Sequence, residues 1–188
     1  MASGDLISDL HGFDFYPEYG TEGARGNLRL VNNPITGASI TSSYRGWDLL
    51  KQSGFTGLVA ETYVNKNLAA TALATGITLR LTLVDDPLNP CPGLAVRLGV
   101  SVKLIQTGAT AANVDFTTSS YGTEVLSTVT LNSTSGLATV TTIAIANANL
   151  QSLAKDSNFL VRVRRLGADA ADTATGNVML THCVIYDT

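Results

Sequence analysis

Between Leu94 and Leu104 every second residue is a large aliphatic: Leu94, Val96, Leu98, Val100, Val102 and Leu104, with Arg97, Gly99, Ser101 and Lys103 in between. A repeat of two is what a half-buried β-strand requires, because successive Cβ atoms point to opposite faces. The same alternation runs through Gly76 to Val84, where Leu79, Leu81 and Leu83 oppose Thr78, Arg80 and Thr82. It returns at Asn158 to Leu166, where Phe159, Val161 and Val163 oppose Leu160, Arg162 and Arg164, and in the closing segment Asn177 to Tyr186. Val125 to Leu131 and Leu137 to Ile145 are expected to pair as a hairpin around Asn132 to Gly136. Gly99 reads as a bulge or bend. Asn147 to Ala154 reads as a single helical turn whose Leu150 and Leu153 cap one end. The fold class is therefore all-β, an antiparallel β-sandwich over residues 76–188. Jelly-roll and immunoglobulin-like sandwiches share this alternation, so periodicity leaves the strand order open.

Residues 1–75 have a different texture, rich in Gly, Asn, Tyr and Phe, with short strand-like runs at Asn27 to Val31 and Gly57 to Val64. Gly46 to Ser53 reads as a short helical turn. A stretch with so little periodicity is not expected to fold by itself. It reads as an N-terminal extended arm whose Phe13, Phe15, Tyr16, Tyr19 and Trp47 need a neighbouring surface. Removal of Met1 to Gly26 is then expected to leave a folded knob.

Charged residues make up 14% of the 188 positions, against about 25% in an ordinary soluble domain. Either Thr, Ser and Asn replace charges on the strand faces, or partner subunits cover much of the surface. No lysine or arginine occurs between Lys103 and Lys155, so an edge strand there lacks the charges that discourage sheet-to-sheet pairing. The net charge of −3 and the lack of a Lys/Arg cluster argue against a nucleic-acid partner. Arg162, Arg164 and Arg165 form only a short run, read as a solvated strand face paired with carboxylates. No stretch approaches the roughly 20 apolar residues of a membrane span. Met1 to Phe13 has neither a basic start nor an apolar run, so synthesis in a cytoplasm without export through the general secretory route is expected.

No assembled chemistry emerges from the residues. His182 and Cys183 are adjacent, and neighbours on a strand face opposite ways, which rules them out as a nucleophilic pair. His11 lies near Asp9 and Asp14, but no nucleophile elbow accompanies it. Asp85 and Asp86 read as turn formers ahead of Pro87. Asp169 and Asp172 lack the spacing of a calcium loop. Cys91 and Cys183 fit no metal pattern, and a bridge between them stays open. Catalytic residues, metal ligands and cofactors are thus expected to be none. Phe116 and Tyr121, in a Thr/Ser-rich loop, are candidates for contact with a sugar or with another subunit.

The stretch NFLVRVRRLGADAADTATGNVMLTHCVIYDT resembles the C-terminal end of small jelly-roll virion structural proteins of tailed bacteriophages. Phe159, Val161, Arg162 and Arg164 match their FxVxR-like strand, Asp169 to Thr173 their loop, and Leu180, Val184, Ile185 and Tyr186 their last strand. The resemblance implies a jelly-roll-like sandwich and a non-enzymatic virion protein. The expected role is a capsid decoration or cement protein on the capsid surface, homotrimeric, bridging subunits of the major capsid protein. On that reading Phe13, Phe15, Tyr16, Tyr19 and Trp47 would make the capsid contacts. The alternative it leaves is a tail-fibre or receptor-binding knob that recognises a host surface glycan.

Overall fold

The computed structural model describes residues 5–17, 28–32, 43–51, 57–64, 75–86, 89–106, 121–151, 153 and 157–188. Among them run β1 (Leu6–His11), β2 (Tyr16–Pro17), β3 (Leu28–Asn32), β4 (Ser43–Leu49), β5 (Leu58–Tyr63) and β6 (Gly76–Asp85). They are followed by β7 (Ala95–Gln106), β8 (Val125–Thr130), β9 (Thr139–Ala146), β10 (Asn158–Arg165) and β11 (Val178–Asp187). The first sheet has the order β3-β4-β11-β6-β9, with β1 also paired to β11; the second has the order β2-β5-β10-β7-β8. From β4 onward the chain crosses between sheets so that β4-β11-β6-β9 face β5-β10-β7-β8, with every ladder antiparallel. That is the double Greek key of a jelly roll.

The alternating aliphatics make the core. Leu79, Leu81 and Leu83 of β6 and Val96, Leu98, Val100 and Val102 of β7 are fully buried, as are Phe159, Val161 and Val163 of β10. Each contributes roughly 1.5–3 kcal/mol of burial free energy. Leu150 and Leu153, just after a 3-10 turn at Asn147–Asn149, are buried as well.

Several expectations need correction. β8 and β9 do not form a hairpin: β8 pairs with β7 in the second sheet and β9 with β6 in the first. The reason is Asp85, at the end of β6 and almost fully buried. Its carboxylate accepts hydrogen bonds from Ser135 Oγ at 2.8 Å, Gly136 N at 2.7 Å and Cys91 N at 3.2 Å. The turn is thereby fixed to the first sheet, and the strand leaving it joins β6. Gly99 is not a bulge, since it pairs in register with Arg164; its missing side chain leaves room for the Glu124 carboxylate.

The expected boundary at residue 75 also does not appear. β1 and β4 pair with β11 and β5 pairs with β10, so the described part of residues 1–75 belongs to both sheets. Ile7, Leu10, Phe15, Leu49 and Leu58 sit in the common core. The start of the run read as a helical turn, from Gly46 to Leu49, belongs to strand β4, and Gly46 allows it: a Cβ there would lie 2.6 Å from the Leu180 carbonyl oxygen. Apolar side chains assigned to a separate arm are instead needed to complete the sandwich.

At one end of the sandwich Arg165 is wholly buried against Asp172. Nε and Nη2 each donate to one carboxylate oxygen at 2.7 Å. Nη1 donates to the Gly176 carbonyl at 2.6 Å and Nη2 also to that of Ala174. Removing one member of such a pair leaves the other buried and uncompensated. Asp172→Asn should therefore lower the unfolding free energy by about 3–5 kcal/mol, measured by urea denaturation. Phe15→Ala should cost about 3–5 kcal/mol in the same assay, whereas a residue of a detachable arm would cost almost nothing.

Candidate functional site: the outer face of β1, β6 and β11

Strand β11 carries a bulge between Leu180 and His182 in its pairing with β6. The extra residue resets the alternation. Leu180, Cys183 and Ile185 point into the core, opposite Leu83, Leu81 and Leu79, while His182, Val184 and Tyr186 stand on the outer face opposite Thr82, Arg80 and Thr78. Strand β1 has its own irregularity between Leu6 and Ser8. Beyond it, Leu10 faces the core opposite Cys183, and Asp9 and His11 share the outer face with His182.

These registers create a concave site of about 320 Å³ lined by Leu6, Asp9, Arg80, Thr82, His182, Val184 and Tyr186. Within it His182 Nε2 makes a short hydrogen bond to Asp9 Oδ1, across 173 positions of sequence. The His11 and His182 rings stack with centroids 5.1 Å apart and an interplanar angle of 14°. Ring nitrogens of both histidines and a carboxylate oxygen of Asp9 lie within 4.8 Å of one another. His11 is held by the 3-10 turn that follows it, where its backbone N–H donates to Asp14 Oδ2 at 2.7 Å. Asp9 and His11 lie far from His182 in the sequence, and only the β1–β11 ladder joins them. In the sequence Arg80 reads as an ordinary outward strand position, and Tyr186 only as part of the last strand.

The opposite outer face, on the second sheet, carries Tyr121. The Arg162 guanidinium lies 4.0 Å from its ring centroid, and Lys103 Nζ lies 6.0 Å from it. Arg162 Nε donates to Ser101 Oγ at 3.1 Å, and Arg164 grips the Glu124 carboxylate through Nε and Nη2. Arg162 and Arg164 are paired with the Glu124 carboxylate as expected, but they are part-buried and not fully solvated; Arg165 departs further because it is fully buried.

Of the five aromatic residues assigned to arm contacts, Phe15 is only 1% exposed and Trp47 is partly buried against the core, so both serve the fold. Phe15 lies inside the sandwich because the short turn after β1 folds it under the first sheet. Tyr16 in β2 is exposed, and the Phe13 backbone lies in the turn Gly12–Asp14. Tyr19 and Phe116 lie outside the described residues. Asp169 and Asp172 form no calcium loop, since Asp172 is committed to Arg165 and Asp169 faces Arg97 at 3.7 Å.

Cys91 and Cys183 are both free thiols and both buried, so no bridge joins them. Burial pushes both thiols up from the ordinary range, and for Cys183 the Asp9 carboxylate adds to the effect. The thiolate is the reactive form, and raising the pKa depletes it at neutral pH. Both cysteines should resist alkylation in the folded protein at pH 8 and react only on unfolding, which mass spectrometry after an iodoacetamide pulse would show.

No protein-family model matches this chain. No curated protein sequence matches it either. Among solved structures it is similar to the "xylan-binding module CBM15", at 12% identity and a TM-score of 0.42, covering 93% of this chain and 96% of that one. It is similar also to the CBM22-1 xylan-binding domain of Xyn10C from Paenibacillus barcinonensis, at 10% identity and a TM-score of 0.42, covering 100% and 97%. A third likeness is to the CBM22-1 and GH10 modules of Clostridium thermocellum xylanase 10B, at 12% identity and a TM-score of 0.45; it covers 100% of this chain but only 29% of that one. The strand order above fixes the fold. At these values the likenesses carry over neither ligand nor site residues.

Proposed function

We propose that this chain is a non-enzymatic recognition protein of a phage particle, a receptor-binding knob that takes a host surface glycan into the site between β1, β6 and β11. The observation that supports it is the convergence of Tyr186, Arg80, Asp9, Thr82 and His182 around one concavity of about 320 Å³. That volume is at the small end of ligand pockets, roughly 300–1,000 Å³, and suits a sugar residue better than a polymer cleft. Tyr186 offers an aromatic surface for the apolar face of a pyranose. The Arg80 guanidinium offers a fork of donors for paired hydroxyls or a carboxylate, and Asp9 accepts from hydroxyls. Hydrolysis of a glycosidic bond calls for two opposed carboxyl groups, and among the described residues Asp9 is the one carboxylate that lines this site.

The experiment is a glycan array probed with the purified chain, followed by titration of the best ligand against Arg80→Ala and Tyr186→Ala. Loss of the Arg80 hydrogen bonds should cost about 1.5–3 kcal/mol, roughly ten- to over a hundredfold in affinity. Unchanged binding by both variants would remove the site from consideration, and a blank array would remove the glycan.

A second reading, the capsid decoration protein, is favoured by a different observation. The span without lysine or arginine supplies both sheet edges on one side of the sandwich, β9 of the first and β8 of the second. There Val140 is 51% and Leu126 45% exposed. Such edges invite pairing with another chain, which suits a homotrimer or a seat on the major capsid protein. Light scattering should show an oligomer for the native chain and a monomer for Leu126→Lys/Val140→Lys. Cryo-electron microscopy of the particle separates the two readings: many copies over the shell mean decoration, and a few at the tail mean a knob.

A further inference from the structure

We infer that Asp9, His11 and His182 form a binding site for a divalent transition-metal ion of the zinc type, which ties the N-terminal strand to the C-terminal one. The inference goes beyond glycan recognition and is tested without any glycan. Two imidazoles and a carboxylate are the donor types that zinc takes, whereas calcium and magnesium prefer oxygen alone. The ligands come from two strands whose backbones are fixed by their own ladder: His11 pairs directly with His182, and Asp9 with Val184 two positions along on the same face.

The distances suit the ion after small side-chain motions. Zinc bonds of about 2.0–2.1 Å in a tetrahedron hold ligand atoms about 3.3 Å apart. The donor atoms here already lie within 4.8 Å of one another, so closure needs about 1.5 Å or less. His11 is exposed, and the side chains of Asp9 and His182 are 52% and 34% exposed, so rotation about their own torsions supplies it. The ion takes the place of the Asp9–His182 hydrogen bond. Three protein ligands leave a fourth position, as in zinc sites that keep an exchangeable water or ligand. Asp9 and His182 also line the pocket with Arg80 and Tyr186, so an anionic or hydroxyl-bearing ligand held there would lie near both the metal and the guanidinium.

The test uses the full chain, without a polyhistidine tag, stripped with a chelator and titrated calorimetrically with zinc chloride. One ion per chain is expected, with Asp9→Asn, His11→Gln and His182→Gln each weakening binding by about tenfold or more. Hydrogen exchange of the β1 amides should slow when zinc is added to the native chain. Proton NMR of the unsubstituted protein gives an independent reading should a variant misfold: zinc must shift the ring resonances of both histidines together. Zinc uptake that is the same in all three variants, or ring resonances that do not move, would overturn the inference. Failure of the glycan array leaves this result untouched, because neither Arg80 nor Tyr186 is a ligand.

Discussion

The Arg165–Asp172 pair is the constraint on which the rest of the sandwich leans. Arg165 ends β10, a central strand of the second sheet, and its guanidinium reaches the carbonyls of Ala174 and Gly176, just before β11 begins in the first. Asp172 answers on the other side, taking the Arg97 backbone N–H at 3.2 Å as well as the guanidinium. Lys51, beyond the end of β4, adds a hydrogen bond of 2.7 Å to the Ala174 carbonyl. The buried pair thus collects the ends of β4 and β10 and the starts of β7 and β11. A charge withdrawn from water is tolerable only when its hydrogen-bonding capacity is met, and the loop before β11 is shaped to meet it. The placement of β11, and with it the outer-face site, follows from how this loop is held.

The fold was legible where one physical signal decides it. Period-two runs of Leu and Val gave β6, β7 and β10, since burying one face of a strand needs nothing but alternation. What escaped were features set by partners far away in sequence. The run Ser43–Leu49, with Gly46 and Trp47 interrupting any pattern, becomes a strand because β11 lies beside it and Gly46 lets the backbones approach. The turn at Asn132 to Gly136 has hairpin chemistry, yet Asp85 turns it into a crossing between sheets. No local propensity encodes that hydrogen bond, because its acceptor lies 51 residues from Gly136.

The candidate site was less legible still, and for a sharper reason. Simple alternation through Met179, Thr181 and Cys183 puts the thiol on the threonine face and leaves His182 inward. The bulge at Thr181 reverses the assignment, burying Cys183 in the core and turning His182 outward. A one-residue insertion in a ladder leaves no mark in composition or hydropathy, but it exchanges every later side chain between faces. The sequence places both histidines beside aspartates or cysteine; only the pairing of β1 with β11 brings the two rings together.

That pairing also explains why such a site belongs at this position and not on the edges β8 and β9. β11 is flanked on one side by β6 and on the other by β4 and β1, so its backbone is held from both sides along its length. Side chains on a strand held in that way are placed by the sheet and not by a loop, which limits how far donors drift from a common centre. β1, by contrast, pairs among the described residues with β11 alone, and its half of the site depends on that ladder staying closed. Any ligand or ion that bridges Asp9 or His11 to His182 therefore acts on the seam between β1 and β11. Binding there and retention of the N-terminal strand are linked, because whatever favours the closed ladder favours the assembled site by the same free energy.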